Sequence, residues 1–216
     1  MSFKRFTLLI CLSPVVWAQE NLRVLVFGDS LTAGYGLSPE DAYPSLIQNK
    51  LDHLEWPVEV IGAGLSGETS AGGLRRLSWL LKKHFDVMIL ELGANDGLRG
   101  LKPEETYRNL AQIVTNTRAA IPDCIILLAG MQVPPNMGAT YASEFAGVFP
   151  RLAKDLDLVL IPFLLEGVAG DQGLNLADGI HPNVAGHRIV AETVWHYLEP
   201  VIDEQLQRDN HLSGSR

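Results

Sequence analysis

The segment ADGIHPN, residues 177–183, places an acidic residue three positions before a histidine that a proline follows. Because Pro182 disfavours helical dihedrals at the residue before it, the segment is predicted to be a loop that leads into a helix. A carboxylate beside an imidazole can orient the ring and stabilise its protonated form. Asp178 and His181 could therefore be two members of a catalytic triad, or incidental polar residues at the start of a helix.

Ser30, in the run GDSLTAGYG, is the candidate third member of this triad. A serine hydroxyl is a poor nucleophile without a positioned base, and a neutral histidine can take its proton and later return it to the leaving group. Attack on an acyl carbon produces an oxyanion, which needs donors that are fixed in advance. The backbone N–H groups of Ser30 and Gly67 and the side-chain amide of Asn95 could supply three such donors.

Each candidate also has a purely structural interpretation. Gly-Asp-Ser, Asn-Asp-Gly and Asp-Gly are common turn sequences, and a glycine such as Gly67 often serves only to make a turn. A histidine before a proline is commonly a loop residue near a helix start. One shared site accounts for all four segments together, whereas the structural interpretation needs a separate reason for each. We therefore favour the shared site.

The elements that must position these residues follow from the apolar pattern. Five short runs rich in Val, Ile and Leu alternate with segments of helical periodicity, which predicts a parallel sheet covered on both faces. The predicted strands are residues 24–27, 58–61 and 87–92 and the runs CIILLAG and LVLIPF, and the predicted helices are residues 38–54, 70–84, 102–120, 141–156 and 182–202. Ser38 and Pro39 are a strong start signal for the first helix. The expected fold is α/β, a three-layer α/β/α sandwich with a five-stranded parallel sheet of flavodoxin-like type.

The candidate residues lie where such a fold places its ligands. Sheets of this kind bind ligands at the carboxyl ends of their strands. GDSLTAGYG, GAGLSGETS and GANDGLRG each begin at the end of a predicted strand, and ADGIHP occupies the last long loop. Four polar, glycine-rich loops are therefore predicted to meet on one edge of the sheet.

These segments resemble a known family. GDSL, SGET, GAND and DGIHP are similar, in order and spacing, to the four motif blocks of the GDSL or SGNH hydrolase superfamily, and the resemblance is closest to bacterial periplasmic multifunctional esterases that act as arylesterases, acyl-CoA thioesterases and lysophospholipases. It implies Ser30 as nucleophile, His181 as base and Asp178 as its partner, with Ser30, Gly67 and Asn95 as oxyanion donors.

The resemblance also implies a serine esterase that hydrolyses carboxylic esters, and acyl thioesters or lysophospholipids, without a cofactor or metal. The loop GMQVPPNMG corresponds to one that borders the acyl pocket in such enzymes. We expect substrate contacts from residues of this loop and from neighbours of the motifs, namely Asp29, Leu31, Leu98, Met131, Val133 and Pro134. The substrate is expected to be a small acyl ester or thioester, including a lipid.

Other functions fit the sequence less well. A flavodoxin-like electron carrier could hold a phosphate on the DSLTAGYG segment, but this leaves His181 and Asn95 without a role. A response-regulator-like module would need a lysine near the fifth strand, and this sequence has none there. An inactive binding module would not need Ser30, Asn95 and His181 together. His181 and His187 have no third metal ligand in suitable positions. A carbohydrate acetylesterase, which would use the same constellation, is the main alternative.

Residues 1–18, MSFKRFTLLICLSPVVWA, have the pattern of a secretory signal peptide. The apolar run is short for a membrane span, and Ile10 is too bulky for the processing site of a lipoprotein at Cys11. We expect one hydrolase domain over residues 19–205, a flexible tail over residues 206–216, and a periplasmic or secreted monomer without an integral membrane segment. The formal net charge of −8 becomes more negative when the signal peptide is removed, which argues against binding to nucleic acid.

Removal of the signal peptide also leaves Cys124 as the only cysteine. An intramolecular disulfide is then impossible, even in an oxidising compartment. Cys124 begins the apolar run CIILLAG, so we expect a thiol packed in the core rather than a nucleophile.

The signal-peptide prediction can be tested on the exported chain. We expect mass spectrometry to find a mature N-terminus at Gln19, because Val16-Trp17-Ala18 presents small residues where a signal peptidase reads them. The protein should be recovered from the periplasm without detergent. A chain that retains residues 1–18, or that carries a diacylglycerol on Cys11, would contradict the prediction.

Overall fold

The computed structural model describes residues 21–214, which form a single sheet flanked by helices. The strands are β1 (Leu22–Gly28), β2 (Val58–Gly64), β3 (Val87–Glu91), β4 (Ile125–Ala129) and β5 (Val159–Ile161). Their order is β2-β1-β3-β4-β5, and all four neighbouring pairs are parallel. This confirms the predicted α/β fold with a five-stranded parallel sheet. The signal peptide and the expected N-terminus at Gln19 lie outside the described residues.

The helices form two separate groups. They are α1 (Ser30–Ala33), α2 (Tyr43–His53), α3 (Ser70–Leu80), α4 (Ala94–Leu98), α5 (Pro103–Ala120), α6 (Ala139–Ala146), α7 (Val148–Leu156) and α8 (Val184–Gly214). Helix α5 packs against α3 and α7, while α2 packs against α8. Both faces of the sheet are therefore covered, and every residue of β3 is buried, as expected for a strand in the middle of a three-layer sandwich.

The strand register brings three loops to one level of the sheet. Gly28, the last residue of β1, pairs with Gly64 of β2 on one side and with Glu91 of β3 on the other. The order 2-1-3-4-5 has its topological switch point between β1 and β3, where ligands of such sheets bind. Ser30 lies two residues after β1 and Asn95 four residues after β3, so both lie at the switch point, on the edge of the sheet where the sequence predicted the loops to meet.

Several helix boundaries differ from the predicted ones because of proline and glycine. Residues Pro39–Asp41 form only a 3₁₀ turn, Ser38 makes no side-chain cap, and α2 begins at Tyr43. Pro44 explains this start, since its ring excludes a helical turn before it and is tolerated only in the first turn. The single helix predicted over residues 141–156 is divided at Gly147, which places Pro150 in the first turn of α7.

The C-terminal helix α8 is longer than predicted. Asn183 caps its start by accepting a hydrogen bond from the Gly186 N–H at 3.0 Å. The helix continues past Pro200 to Gly214, so residues 206–214 are helical where the sequence predicted a tail. No helix in the described range, α8 included, has an uncharged apolar stretch long enough to cross a membrane.

His187 joins α8 to α2 in the interior. Its side chain is buried, and its Nδ1 accepts a hydrogen bond from the Tyr43 N–H at 3.1 Å. The Tyr43 hydroxyl in turn lies 2.8 Å from the Thr32 Oγ1 in α1. Burial lowers the pKa of His187 from 6.5 to about 4, because a charged imidazolium would lose its hydration. The neutral ring is therefore part of the folded structure.

The depressed pKa of His187 predicts a loss of stability in acid. His187 binds a proton near pH 6.5 in the unfolded chain but only near pH 4 in the folded chain. The stability that the neutral His187 contributes is therefore fully present above pH 6.5 and is lost as the pH falls from 6.5 to about 4. Relative to His187→Gln, which keeps an acceptor but does not titrate, the wild type should lose roughly 1–3 kcal/mol of unfolding free energy over this range.

Urea unfolding of both proteins across that pH range measures the difference. His196→Gln is the matched control, because His196 is an exposed histidine of the same helix. A constant difference between the wild type and His187→Gln would show that His187 does not titrate as expected.

Candidate active site

The turn between β1 and α1 presents Ser30 at the start of a short helix. Asp29 is the N-cap, and its Oδ1 accepts a hydrogen bond from the Leu31 N–H at 3.0 Å. Gly34 ends the helix in the left-handed conformation. A side chain at Gly28 would collide with Thr32 and Glu91, so only glycine permits this close approach. The tight turn fixes the direction in which Ser30 projects.

The loop that carries His181 is folded back on itself. The Leu176 N–H donates to the His181 carbonyl at 2.7 Å, and the Asn183 N–H donates to the Leu174 carbonyl at 2.9 Å. Asn175 is buried, and its amide donates to two carbonyls of the preceding turn, those of Val168 and Asp171. These bonds hold the backbone of the loop beside the β1–α1 turn.

Ser30, His181 and Asp178 form one chain of hydrogen bonds. The His181 Nε2 lies 3.0 Å from the Ser30 Oγ, and the His181 Nδ1 lies 2.7 Å from the Asp178 Oδ2. The structure thus brings together the three residues that the sequence placed in a triad, although 151 positions separate the serine from the histidine. This is the geometry by which a base activates a serine and a carboxylate orients the base.

Asp178 has two functions in its loop. Its Oδ1 accepts hydrogen bonds from the backbone N–H groups of Ile180 and His181 at 2.9 and 3.0 Å, which leaves Oδ2 for the imidazole. These backbone donors, together with the imidazole, lower the pKa of Asp178 to about 2. The carboxylate is therefore ionised over the whole range in which a histidine can act as a base.

Tyr35 packs against the His181 imidazole. Its ring centroid lies 4.4 Å from that of His181, with 36° between the planes. The Tyr35 N–H donates to the Ser30 carbonyl at 3.0 Å, so the same turn that presents the serine also supplies the ring that packs on the base. Tyr35 restricts the positions that the imidazole can adopt.

The loop after β2 holds Gly67 by its neighbours. Gly67 has a φ of +77°, which a residue with a side chain would adopt only with strain. The next residue, Glu68, is buried and pairs with Arg76, whose Nε lies 3.0 and 3.1 Å from the two carboxylate oxygens. Arg76 also donates to the Ala63 carbonyl at 2.9 Å. The arginine therefore ties the Gly67 loop to the end of the sheet.

The segment after β3 forms the short helix α4 where the sequence predicted a loop. Asn95 is its second residue, and the Asn95 Nδ2 donates to the Asp29 Oδ2 at 2.9 Å. The adjacent Asp96 is buried and accepts a hydrogen bond from the Ser70 N–H at 2.7 Å. The loop that carries Asn95 is thus bonded to both the nucleophile turn and the start of α3.

The three predicted oxyanion donors are free to bind an additional group. Among the residues that the structure describes, no acceptor is recorded for the N–H of Ser30 or of Gly67. The Asn95 amide uses one hydrogen on Asp29, which leaves its second hydrogen available. Arg99 connects the loops that carry Gly67 and Asn95. Its Nη2 donates to the Gly67 carbonyl at 2.9 Å, and it lies four residues after Asn95.

The residues predicted to contact substrate fall into two groups. Leu98 and Pro134 are exposed, whereas Leu31, Met131 and Val133 are buried. The prediction for Asp29 is corrected by the structure: its side chain is completely buried, and its two oxygens face Leu31 and Asn95. It has no surface with which to touch a substrate.

Cys124 is a core thiol, as predicted. It is buried, and burial raises its pKa to about 12, so it remains protonated and unreactive. No group of three metal-binding side chains comes together in the part of the chain that the structure describes.

The polar residues behind the site were not predicted from the sequence. Glu91 and Arg76 hold the loops in place but lie outside the motifs, and Glu68 lies inside SGET but was given no role. For Glu91 a signal was present, because it is an acid in the otherwise apolar strand VMILE. An acid in a strand that is buried on both faces must have a specific partner. Arg76 and Glu68 have no comparable signal in the sequence.

A parallel α/β/α sandwich that carries a Ser-His-Asp chain at its carboxyl edge, without a Gly-x-Ser-x-Gly elbow, has the form of an SGNH hydrolase. The comparison with family models agrees: the GDSL-like lipase/acylhydrolase family matches residues 26–189. The chain belongs to this family of hydrolases.

Individual relatives are similar over most of their length. The chain is 40% identical over 195 residues to an esterase named TesA from Pseudomonas aeruginosa, covering 89% of this chain and 96% of that protein. It is 38% identical to an Escherichia coli protein named as a thioesterase, protease and lysophospholipase, covering 92% of each. A solved structure of the psychrotrophic esterase EstA from Pseudoalteromonas, inhibited by monoethylphosphonate, matches with a TM-score of 0.80 at 33% identity, covering 85% of this chain and 100% of that one.

The contribution of Asp178 to the site can be measured. Asp178→Asn keeps an oxygen for the two backbone donors but presents N–H where the imidazole needs an acceptor. We expect turnover of an aryl ester to fall by about 10³-fold or more, by analogy with other triads. Rates for Asp178→Asn, Asp178→Ala and His181→Ala from about pH 5 to about pH 9 make the comparison.

Asp171→Asn is the matched control, because the Asp171 carboxylate accepts a backbone hydrogen bond in the same region but faces no histidine. If both Asp178 variants stay within about tenfold of the parent while His181→Ala is inactive, Asp178 shapes the loop and the site is a Ser-His dyad.

Proposed function

We propose that this protein is an exported serine esterase that hydrolyses carboxylic esters, and also acyl thioesters or lysophospholipids. The observation that carries the proposal is the chain of hydrogen bonds from the Ser30 Oγ through the His181 imidazole to the Asp178 carboxylate. The names of the relatives support the substrate classes, because these proteins are called esterase, thioesterase, lysophospholipase and arylesterase.

Acylation begins when His181 takes the proton of Ser30. The Ser30 Oγ bonds to the acyl carbon, and the resulting imidazolium is stabilised by the Asp178 carboxylate. The negative charge moves to the acyl oxygen, where the N–H groups of Ser30 and Gly67 and the Asn95 amide donate to it. The bond to the leaving alcohol or thiol then breaks, and His181 returns the proton to it.

Deacylation repeats these steps with water. His181 takes a proton from the water molecule, the hydroxide attacks the acyl-serine, and the same donors hold the second oxyanion. The bond between the acyl carbon and the Ser30 Oγ breaks, and Ser30 regains its proton from His181. The products are a carboxylic acid and the free enzyme, so no cofactor is consumed.

Exposed apolar side chains support an acyl group as the substrate. Leu65, Leu98 and Ile180 are exposed, and each lies within three residues of a proposed catalytic residue: Gly67, Asn95 or His181. Single exposed apolar side chains are common, but several of them beside one site are typical of a ligand-binding groove. An acyl chain over these residues would bury them. An acetylated sugar, the substrate of the alternative carbohydrate acetylesterase, would leave most of this surface exposed.

We expect the ester turnover of Ser30→Ala to fall by at least about 10³-fold while the protein remains folded. Without the nucleophile, only the rate acceleration due to substrate binding and the oxyanion donors remains. Ser66→Ala is the matched control and should keep the parental rate, since Ser66 lies in the neighbouring loop without a base. A phosphonate should label Ser30 alone. Normal turnover by Ser30→Ala, or labelling of Ser66, would show that the nucleophile is assigned wrongly.

The substrate class is tested by ranking specificity constants for aryl esters, acyl-CoA thioesters, lysophospholipids and acetylated sugars. We expect the first three classes to exceed the sugars. If an acetylated sugar ranks first, the carbohydrate acetylesterase is the correct function.

A further inference from the structure

Asp29 is a buried carboxylate that contacts the site, and the proposed mechanism does not use it. Its side chain is fully buried. One oxygen, Oδ1, accepts from the Leu31 N–H at 3.0 Å, and the other, Oδ2, accepts from the Asn95 Nδ2 at 2.9 Å. No cation forms an ion pair with it in the described part of the chain. Burying a charged carboxylate costs hydration free energy unless hydrogen bonds compensate for it or a neighbouring group shares a proton with it.

Asp29 has the same bonding pattern as Asp178. Each carboxylate uses one oxygen to cap the backbone of its own turn and the other to hold one functional side chain. Asp178 holds the His181 imidazole, and Asp29 holds the Asn95 amide. An amide has two hydrogens on its nitrogen. Fixing one of them on Asp29 fixes the direction of the other.

Glu91 supports Asp29 from behind. It is fully buried, and its Oε2 accepts three hydrogen bonds, from the Asp29 N–H at 3.1 Å, the Thr32 N–H at 3.2 Å and the Thr32 Oγ1 at 2.7 Å. Its Oε1 is buried without any donor among the described residues. A carboxyl oxygen in this situation is satisfied if it carries a proton and donates it.

Asp29 is the candidate acceptor for that proton, because its backbone N–H already donates to the Glu91 Oε2 at 3.1 Å. Burial, together with the nearby Asp29 charge, raises the pKa of Glu91 well above its usual range. The pKa of Asp29 rises only to about 6, because the Leu31, Asn95 and Glu91 hydrogen bonds offset part of the cost of burial. Two ionised carboxylates that are buried near each other repel, so a proton on one of them stabilises the pair. The raised pKa of Glu91 favours that proton on Glu91.

We propose that Asp29 is a positioning residue that aims the Asn95 amide at the oxyanion, and that Glu91 in its neutral form donates a hydrogen bond that keeps Asp29 in place. The proposal, which rests on the proposed function, assigns a carboxylate to each half of the chemistry. Asp178 orients the base, and Asp29 orients an oxyanion donor. Neither Asp29 nor Glu91 touches the substrate.

A double-mutant cycle tests the link to Asn95. Asp29→Asn leaves one oxygen and one amino group, so either Leu31 or Asn95 loses its acceptor. We expect kcat to fall by about 10–10²-fold with KM nearly unchanged, because the oxyanion forms only in the transition state. Asn95→Ala alone should cost about 10²–10³-fold in kcat. Adding Asp29→Asn to Asn95→Ala should cost less than about threefold more.

Asp86→Asn is the control for this cycle. Asp86 precedes β3 at the opposite edge of the sheet, where its carboxylate accepts from the Arg23 N–H at 2.7 Å. Its effect, if any, should be the same with and without Asn95→Ala. If the cost of Asp29→Asn persists in the Asn95→Ala background, Asp29 acts on the serine turn itself, and the proposed link to Asn95 is wrong.

Two variants of Glu91 test its protonation. Glu91→Gln can donate to Asp29 through Nε2 and accept the three donors through Oε1, so kcat and the melting temperature should stay close to those of the parent. Glu91→Leu leaves the three donors unpaired and should lower both. If Glu91→Leu does not fold, Glu91→Gln alone decides. A fall in kcat of more than about tenfold for Glu91→Gln would show that Glu91 functions as an anion.

Ser30→Ala, measured in the same assay, separates this inference from the proposed function. If Ser30→Ala keeps its activity, the proposed mechanism fails, and the role of Asp29 that rests on it fails too. If Ser30→Ala is inactive and the cycle is additive, the mechanism stands and only the role of Asp29 is overturned.

Discussion

The hydrogen bonds that Glu91 accepts hold the rest of the site in place. One carboxyl oxygen at the end of the central strand β3 accepts hydrogen bonds from two backbone N–H groups of the turn that carries Ser30, those of Asp29 and Thr32, and from the Thr32 hydroxyl. The end of β1 is thereby fixed to the end of β3, so close that residue 28 must be glycine. These three hydrogen bonds limit the movement of the turn that carries Ser30.

Neighbouring loops are joined in the same way, each by a buried polar side chain. Asp29 bonds to Asn95, Asp96 bonds to Ser70, and Arg76 pairs with Glu68. In the proposed mechanism each oxyanion donor is therefore positioned by a residue from another loop or element. Electrostatic stabilisation requires donors that do not reorganise when charge develops, and these cross-connections supply the rigidity that single loops would lack.

The sequence predicted the parallel sheet and the loops of the site, because strand periodicity and loop composition are local signals. It did not predict Glu68 and Arg76, whose importance arises from contacts between separate elements. Asp29 was assigned to the substrate because it adjoins Ser30, and only the fold shows that its side chain points inward. The start of α2 was misplaced because the Ser38-Pro39 signal was followed without weighing Pro44 five residues later.

The environments of Asp29 and Asp178 differ as their functions require. Asp178 faces a histidine that becomes positive during each proposed step, so it must be a permanent anion, and its partly exposed position and backbone donors keep its pKa near 2. Asp29 faces a neutral amide and needs only to accept a hydrogen bond. It can therefore be buried, with its pKa near 6, provided that Glu91 supplies the proton that lets two acids share a dry site. The exposure of Asp178 keeps its carboxylate charged, whereas the burial of Asp29 keeps its hydrogen bond to the Asn95 amide in one orientation.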